Sequence, residues 1–151
     1  MERISTFKDY VGELTVTYRR TKKLTSKIQS PKEAADYIRP YFDVSMDDHE
    51  ECKVIHLNNG NHVVNVHQST CGSETGTIID IKGIVRNALH IKTSALIMFH
   101  NHPSGTTKPS HADIQVSRKL KKALEYFDMK LLDSIIITRE TYVSLVDEGF
   151  L

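Results

Sequence analysis

Two histidines stand two positions apart at the end of an apolar run, and an aspartate follows a short loop later. The run 95–99, Ala-Leu-Ile-Met-Phe, predicts a buried strand that His100 and His102 continue. Because side chains alternate on a strand, both imidazoles face the same way. Asp113, in the first turn of the next predicted helix, adds a carboxylate oxygen. Two histidines and one aspartate leave a tetrahedral zinc ion one open position for water, which is typical of a catalytic site.

The spacing of these residues resembles a known motif. His100-x-His102, seven residues, Ser110, two residues and Asp113 have the pattern of the JAB/JAMM (MPN-type) zinc metallopeptidases. The longer string His-Asn-His-Pro-Ser-Gly is similar to the RadC branch of that superfamily, and the similarity extends from about Ser30 to the C-terminus. The resemblance implies an α/β fold, a mixed β-sheet with flanking helices in the JAB/MPN (cytidine-deaminase-like) architecture. It also implies Zn²⁺ held by His100, His102 and Asp113.

The same resemblance implies a catalytic glutamate at the start of an upstream strand. This residue takes a proton from water and returns it to the leaving nitrogen. Glu50 and Glu51 stand side by side at that place. Counting back from the turn at Asn58, as RadC-like sequences are arranged, favours Glu50. Neighbouring side chains of a strand point to opposite faces, so only one of the two can face the metal. The other is then a solvated carboxylate.

Ser110 has two interpretations. The resemblance implies a catalytic hydroxyl that donates to the oxyanion of the tetrahedral intermediate. Ser110 and Asp113 also form a helix-capping pattern, with Asp in place of the usual Glu. The sequence leaves both open, because the hydroxyl of an N-cap residue stands at the metal end of its helix.

Turn and cap signals place the elements around these residues. Ser30, Pro31 and Glu33 predict a capped helix that ends near Pro40. Asn59-Gly60 predicts a hairpin, since Asn-Gly between two β-rich runs is a strong hairpin signal. The remaining predicted elements are hairpin strands at 52–57 and 62–66, a Gly/Ser/Thr loop at 68–78, a helix that Asp80 caps and that runs through Leu89, a helix from Ser110 to Phe127, and strands at 131–137 and 142–145.

The chain is predicted to have one domain and an arm. Residues 1–29 are expected to form an N-terminal arm, with an edge strand in the alternating stretch 13–18, and residues 30–151 the RadC-like JAB/JAMM domain. RadC-like proteins commonly carry a helix-hairpin-helix module, a DNA-binding unit, ahead of this domain. Residues 1–29 are expected to leave no room for this module, which would weaken the case for direct DNA binding. The basic residues of the arm are expected to be solvated, since no aromatic residues interleave them.

Composition limits the classes of partner and compartment. The formal net charge of +1 gives no support for binding to nucleic acid or to a membrane surface. No apolar run approaches the ~18 residues of a membrane span, and the N-terminus lacks the apolar core of a signal peptide. Cys52 and Cys71 do not form a CxxC pair and are expected to be reduced thiols. A cytoplasmic protein is the expectation.

The leading functional hypothesis is a zinc metallopeptidase that acts on a peptide or protein-conjugate substrate by cleaving a peptide, isopeptide or related amide bond. One alternative is a non-catalytic MPN-type binding or accessory module associated with DNA repair or mobile-element functions. A metal-dependent nuclease is less well supported, because the letters of the HNH nuclease motif are scattered along a ββα-metal unit and not contiguous. Substrate identity and oligomeric state are not determined by the sequence.

Overall fold

The apolar run that ends in the two histidines forms the central strand of a five-stranded sheet. The computed structural model describes residues 10–71 and 79–151. The central strand, β3 (Ala95–Asn101), pairs with β4 (Lys130–Ile137) in parallel, and the other neighbouring pairs are antiparallel. The predicted mixed sheet with flanking helices is therefore confirmed. The strands, in the spatial order β2-β1-β3-β4-β5, are β1 (Glu51–Leu57), β2 (Val63–Cys71), β3 (Ala95–Asn101), β4 (Lys130–Ile137) and β5 (Tyr142–Ser144).

Three α-helices begin at the caps that the sequence predicts. They are α1 (Pro31–Ile38), which a 3₁₀ turn at Arg39–Phe42 extends, α2 (Ile81–His90) and α3 (His111–Glu125). The Ser30 hydroxyl accepts the N–H of Glu33, and the Asp80 carboxylate accepts the N–H of Gly83. The carboxylate of Glu33 accepts the N–H of Gln29, one residue before the position of a standard capping box.

The sheet separates two apolar clusters, and the alternation along β3 assigns each side chain to one of them. Ile97 and Phe99 lie in a cluster with residues of α1 and the turn that follows it, Phe42 among them. Leu96 and Met98 lie in the other cluster, with residues of α2 and α3. Even-numbered residues of β3 therefore face α2 and α3, and odd-numbered residues face α1. This parity decides where the polar residues at the end of the strand point.

Two segments differ from the sequence prediction. Residues 68–71, predicted as loop, continue β2, because they pair with the first residues of β1. The rest of the predicted loop, 72–78, lies outside the described residues. The stretch 13–18, predicted as an edge strand, has no strand geometry. The Leu14 side chain is 80% exposed, so pairing there would bury no apolar face to stabilise a strand.

The last residues of the N-terminal arm, just before α1 in the chain, contact the sheet. Lys27 forms an isolated bridge with His62, and the Thr25 hydroxyl donates to the carbonyl of Val63 over 2.6 Å. These bonds satisfy polar groups at the outer edge of β2, where an unpaired strand edge would otherwise be exposed. Within the described residues, no helix combines the length and the apolarity that crossing a bilayer requires.

A buried histidine of β1, His56, is expected to make the fold sensitive to acid. His56 lies within hydrogen-bond distance of Thr93 and of the Nδ1 atom of His67. Burial, reinforced by the charge of His67, lowers the pKa of His56 to about 3. An unfolded histidine titrates near 6.5, so between about pH 6.5 and pH 3 the unfolded chain binds a proton that folded His56 does not. Folded stability is therefore lost as the pH falls through this window.

We expect His56→Asn to flatten the pH dependence of stability in this window. For one group the free energy of unfolding falls by about 1.4 kcal/mol per pH unit. Denaturant unfolding at pH 6, 5 and 4 in the presence of EDTA measures the slope, and EDTA keeps metal binding out of the comparison. Parallel slopes for wild type and variant would contradict the assignment.

Candidate metal centre

The side chains of His100, His102 and Asp113 converge where β3 ends and α3 begins. The Nε2 atoms of the two histidines lie 3.1 Å apart. The carboxylate atom Oδ1 of Asp113 lies 3.4 Å from Nε2 of His100, and Oδ2 lies 3.4 Å from Nε2 of His102. One possible ligand atom from each residue lies within 4.8 Å of the other two. The structure thus brings together the three residues that the sequence predicts as metal ligands.

These separations fit a small tetrahedral cation. With metal–ligand bonds of roughly 2.0–2.1 Å, neighbouring ligand atoms of a tetrahedral site lie about 3.3 Å apart. The 3.1 Å between the two Nε2 atoms is close to this value, and each Nε2 lies 3.4 Å from a different oxygen of the Asp113 carboxylate. His100 and His102 are buried, and the Asp113 side chain is 20% exposed. The donor set of two imidazoles and one carboxylate is one that Zn²⁺ accepts.

A backbone carbonyl fixes the ring of His102. The Nδ1 atom of His102 donates to the carbonyl oxygen of Thr106 over 2.8 Å. A proton held at Nδ1 leaves the lone pair of Nε2 available to a metal, which is the usual second interaction of a metal-bound histidine. Gly105, at φ +82°, makes the tight turn that returns the chain to His102. Sequence reasoning missed this contact because any residue can supply a carbonyl.

Asp113 has two structural roles at once. Its Oδ2 atom accepts the N–H of Ser110, and the Ser110 hydroxyl accepts the N–H of Asp113, which completes a capping box. Burial alone would raise the pKa of Asp113, but hydrogen bonds from His100 and His102 hold it well below its usual range. The carboxylate is therefore ionised at neutral pH. The start of α3 thus orients an anionic group toward the two imidazoles.

Glu50 is one of the groups whose charge acts on His102. Burial is the largest single effect and lowers the pKa of His102, but the hydrogen bonds to Asp113 and Thr106 and the charges of Asp113 and Glu50 together outweigh it. The net effect is a pKa above the ordinary value. The β1–β3 register pairs Cys52 with His100. Continued by two residues beyond this last pair, the register would set Glu50 opposite His102 and on the same face of the sheet.

Glu51 belongs to the other face. Its carboxylate accepts a hydrogen bond from Ser45 over 2.9 Å and lies 2.9 Å from both Nε2 of His49 and Nζ of Lys53. Glu51 and Lys53 are both buried, so they form an ion pair largely shielded from water. The sequence interpretation of the second glutamate as a solvated carboxylate is therefore wrong for Glu51. The missed signal is Lys53, two positions along the strand and on the same face.

The other polar candidates lie where they take no part in the triad. His111, between the motif positions, is exposed on the first turn of α3. Cys52 is fully buried, and burial raises the pKa of its thiol to about 12. A thiol with this pKa stays protonated at neutral pH, and Cys52 is not among the residues whose ligand atoms converge in the described part of the chain. The side chain of Cys71 lies outside the part of the chain that the structure describes.

The chain is similar in sequence to one family of known proteins. The sequence profile of the RadC-like JAB domain matches residues 28–150. A UPF0758 protein of Flavobacterium johnsoniae is 42% identical over 123 residues, which cover 82% of this chain and 53% of that protein. A UPF0758 protein of Clostridium acetobutylicum is 33% identical over 142 residues, 93% of this chain and 61% of the relative. The chain therefore spans only a little more than half the length of these curated relatives.

Proposed function

Because the chain belongs to the family of RadC-like JAB domains, we propose that it is a zinc-dependent hydrolase that cleaves a peptide, isopeptide or related amide bond. The observation that carries the proposal is the convergence of His100, His102 and Asp113, with one ligand atom of each within 4.8 Å of the others. A three-residue donor set leaves a coordination position for water, as catalytic zinc sites do.

The three ligand residues have complementary parts in this proposal. His100 and His102 would offer their Nε2 atoms to the metal, and Asp113 an anionic oxygen that the capping box orients. A zinc ion held there would act as a Lewis acid and would lower the pKa of a bound water to roughly 7. The tight turn at Gly105 and the carbonyl of Thr106 keep the His102 ring in the orientation that this requires.

Two further residues carry the proton and charge steps. Glu50, whose charge acts on His102, would accept the proton of the attacking water and deliver it to the leaving nitrogen; the β1–β3 register, continued by two residues, supports this role. The Ser110 hydroxyl accepts the N–H of Asp113 and still has its own proton to donate. That proton can stabilise the oxyanion that forms when water adds to the carbonyl. Capping and catalysis are compatible roles for one hydroxyl.

Metal analysis combined with an activity screen tests the proposal. Protein purified without added zinc is expected to contain about one equivalent, and His102→Ala should contain none. Fluorogenic peptides and linear or branched protein conjugates serve as substrates. Turnover should stop with a chelator and return with zinc. His111→Ala is the matched control, because it removes an exposed histidine close to the site that is not one of the three ligands.

The alternatives predict different outcomes. A folded protein that holds no metal and cleaves none of the substrates would favour the non-catalytic accessory module. Chelator-sensitive cleavage of plasmid DNA, with no hydrolysis of peptides or conjugates, would favour the nuclease. Metal retained in His102→Ala would contradict the ligand assignment itself.

A further inference from the structure

The residue between the two metal-ligand candidates points away from them. Asn101 follows His100 and precedes His102, and the alternation of β3 turns its side chain to the α1 face. The residue is fully buried, with 0% of its surface exposed. A buried amide requires partners for its oxygen and for both of its N–H groups. Those partners identify what Asn101 does.

The partners of Asn101 all lie in the segment 45–51. Its side-chain oxygen accepts the backbone N–H of Glu51 over 2.7 Å. Its amide nitrogen donates to the backbone carbonyls of Ser45, Met46 and His49, at 3.2, 3.1 and 2.9 Å. Reversing the amide would set the nitrogen against an N–H and the oxygen against three carbonyls. The contacts therefore select one orientation of the side chain.

These bonds enclose Glu50 on both sides. His49 and Glu51, its two neighbours in the chain, are each bound to Asn101 through the backbone. Glu50 itself precedes the first residue of β1, so the β1–β3 ladder does not fix its position. The side-chain amide of Asn101 thus supplies the hydrogen bonds here, just beyond the last pair of the β1–β3 ladder.

We propose that Asn101 is a positioning residue that holds Glu50 in register with the metal ligands. The proposal rests on the proposed function, because it assigns a task to Glu50. The end of β3 then has two tasks. It presents the imidazoles of His100 and His102 on one face of the sheet, and on the opposite face Asn101 holds the segment that contains Glu50. Asparagine suits this place because it combines one acceptor with two donors. Aspartate has the same shape and lacks the donors.

The test compares Asn101→Ala and Asn101→Asp with a matched control, Asp133→Ala. Asp133 is also buried and also holds a segment by its side chain, since it accepts the N–H groups of Ser134 and Val146. It pairs with Ile97, four residues before Asn101, and the hydrogen bonds of its side chain go to Ser134, Ser144 and Val146, outside the segment 45–51. Substitution of either residue therefore removes buried side-chain hydrogen bonds to a backbone segment. Only the bonds of Asn101 hold the segment that contains Glu50.

Three measurements are made on each zinc-loaded variant. They are the zinc content, the amide hydrogen exchange of residues 45–51, and kcat and KM for the fluorogenic peptide that the wild type cleaves fastest. Both Asn101 variants should keep about one equivalent of zinc and exchange faster at 45–51. Their kcat should fall roughly 10- to 100-fold with little change in KM, since displacement of a reacting group by about 1 Å costs this much. In a Glu50→Gln background, Asn101→Ala should cause no further loss.

Several results would overturn the proposal. They are an unchanged kcat, a loss of kcat that tracks loss of zinc, an equal loss in Asp133→Ala, and failure of both Asn101 variants to fold, which would show that the amide serves the sheet itself. If the wild type cleaves no peptide or conjugate, the hydrolase assignment fails separately. The amide hydrogen exchange of residues 45–51 in the zinc-retaining Asn101 variants then decides whether Asn101 holds this segment. Exchange as slow as in the wild type would exclude that role.

Discussion

Glu50→Gln is expected to remove nearly all turnover while the protein keeps its zinc. Glutamine has nearly the shape of glutamate but cannot accept the proton of the attacking water. General acid–base catalysis by one side chain contributes roughly 10²- to 10⁴-fold, and the loss should lie in this range. Glu50 is not one of the three ligand residues, so the zinc content should stay near one equivalent. Steady-state hydrolysis of the best fluorogenic peptide, with zinc measured on the same sample, checks both parts.

Glu51→Gln is the matched comparison, one position along the chain and on the opposite face. It should keep most of the turnover and lower the stability instead, because Lys53 loses its charged partner in a buried environment. Breaking a buried ion pair from one side costs on the order of 3 kcal/mol in the free energy of unfolding. If Glu51→Gln abolished turnover and Glu50→Gln did not, the assignment of the proton-transfer residue would be reversed.

Asp113→Asn and Asp113→Ala should both lose zinc but differ in stability. Each removes the anionic ligand, and we expect the zinc affinity to fall by at least about 100-fold, beyond the usual effect of a substitution outside the ligand shell. Asparagine can still accept the N–H of Ser110 and so preserves the capping box. Alanine cannot, and should unfold about 1 kcal/mol more easily.

Chelator competition measures the affinity, and denaturant unfolding in EDTA measures the stability without metal. The difference between the two variants isolates the cap, because both lose the interaction of the carboxylate with the histidines. Equal stability in EDTA would show that the capping box contributes nothing to α3. Wild-type zinc affinity in Asp113→Asn would remove Asp113 from the ligand set.

The sequence predicts those parts of the site that depend on side-chain type and periodicity. His100 and His102 share a face because a strand alternates, and Asp113 reaches them because a cap starts the helix where the loop ends. The same alternation places Glu50 and Glu51 on opposite faces. The helix starts at Ser30, Asp80 and Ser110 follow from local hydrogen bonds that need no knowledge of the rest of the chain. Local rules are sufficient for these features.

Features that depend on distant backbone groups could not be predicted in this way. The carbonyl of Thr106 and the four backbone partners of Asn101 have no signature in residue type. The extension of β2 through 68–71 depends on pairing with β1, which overrides a composition rich in polar residues. The stretch 13–18 shows the converse case, since it alternates as a strand does and yet buries too little apolar surface to form one.

Both faces of β3 carry residues with assigned roles, and this limits insertions and deletions within the strand. Inserting or deleting one residue within Ala95–Asn101 would reverse the face of every later side chain in the strand. Both imidazoles would then turn toward the α1 cluster, and an amide would stand beside Asp113. The turn through Gly105 is restricted as well, because the carbonyl of Thr106 holds the His102 ring. Variation in length is therefore to be sought after Thr106, around the exposed Lys108, where the two histidines can keep their places.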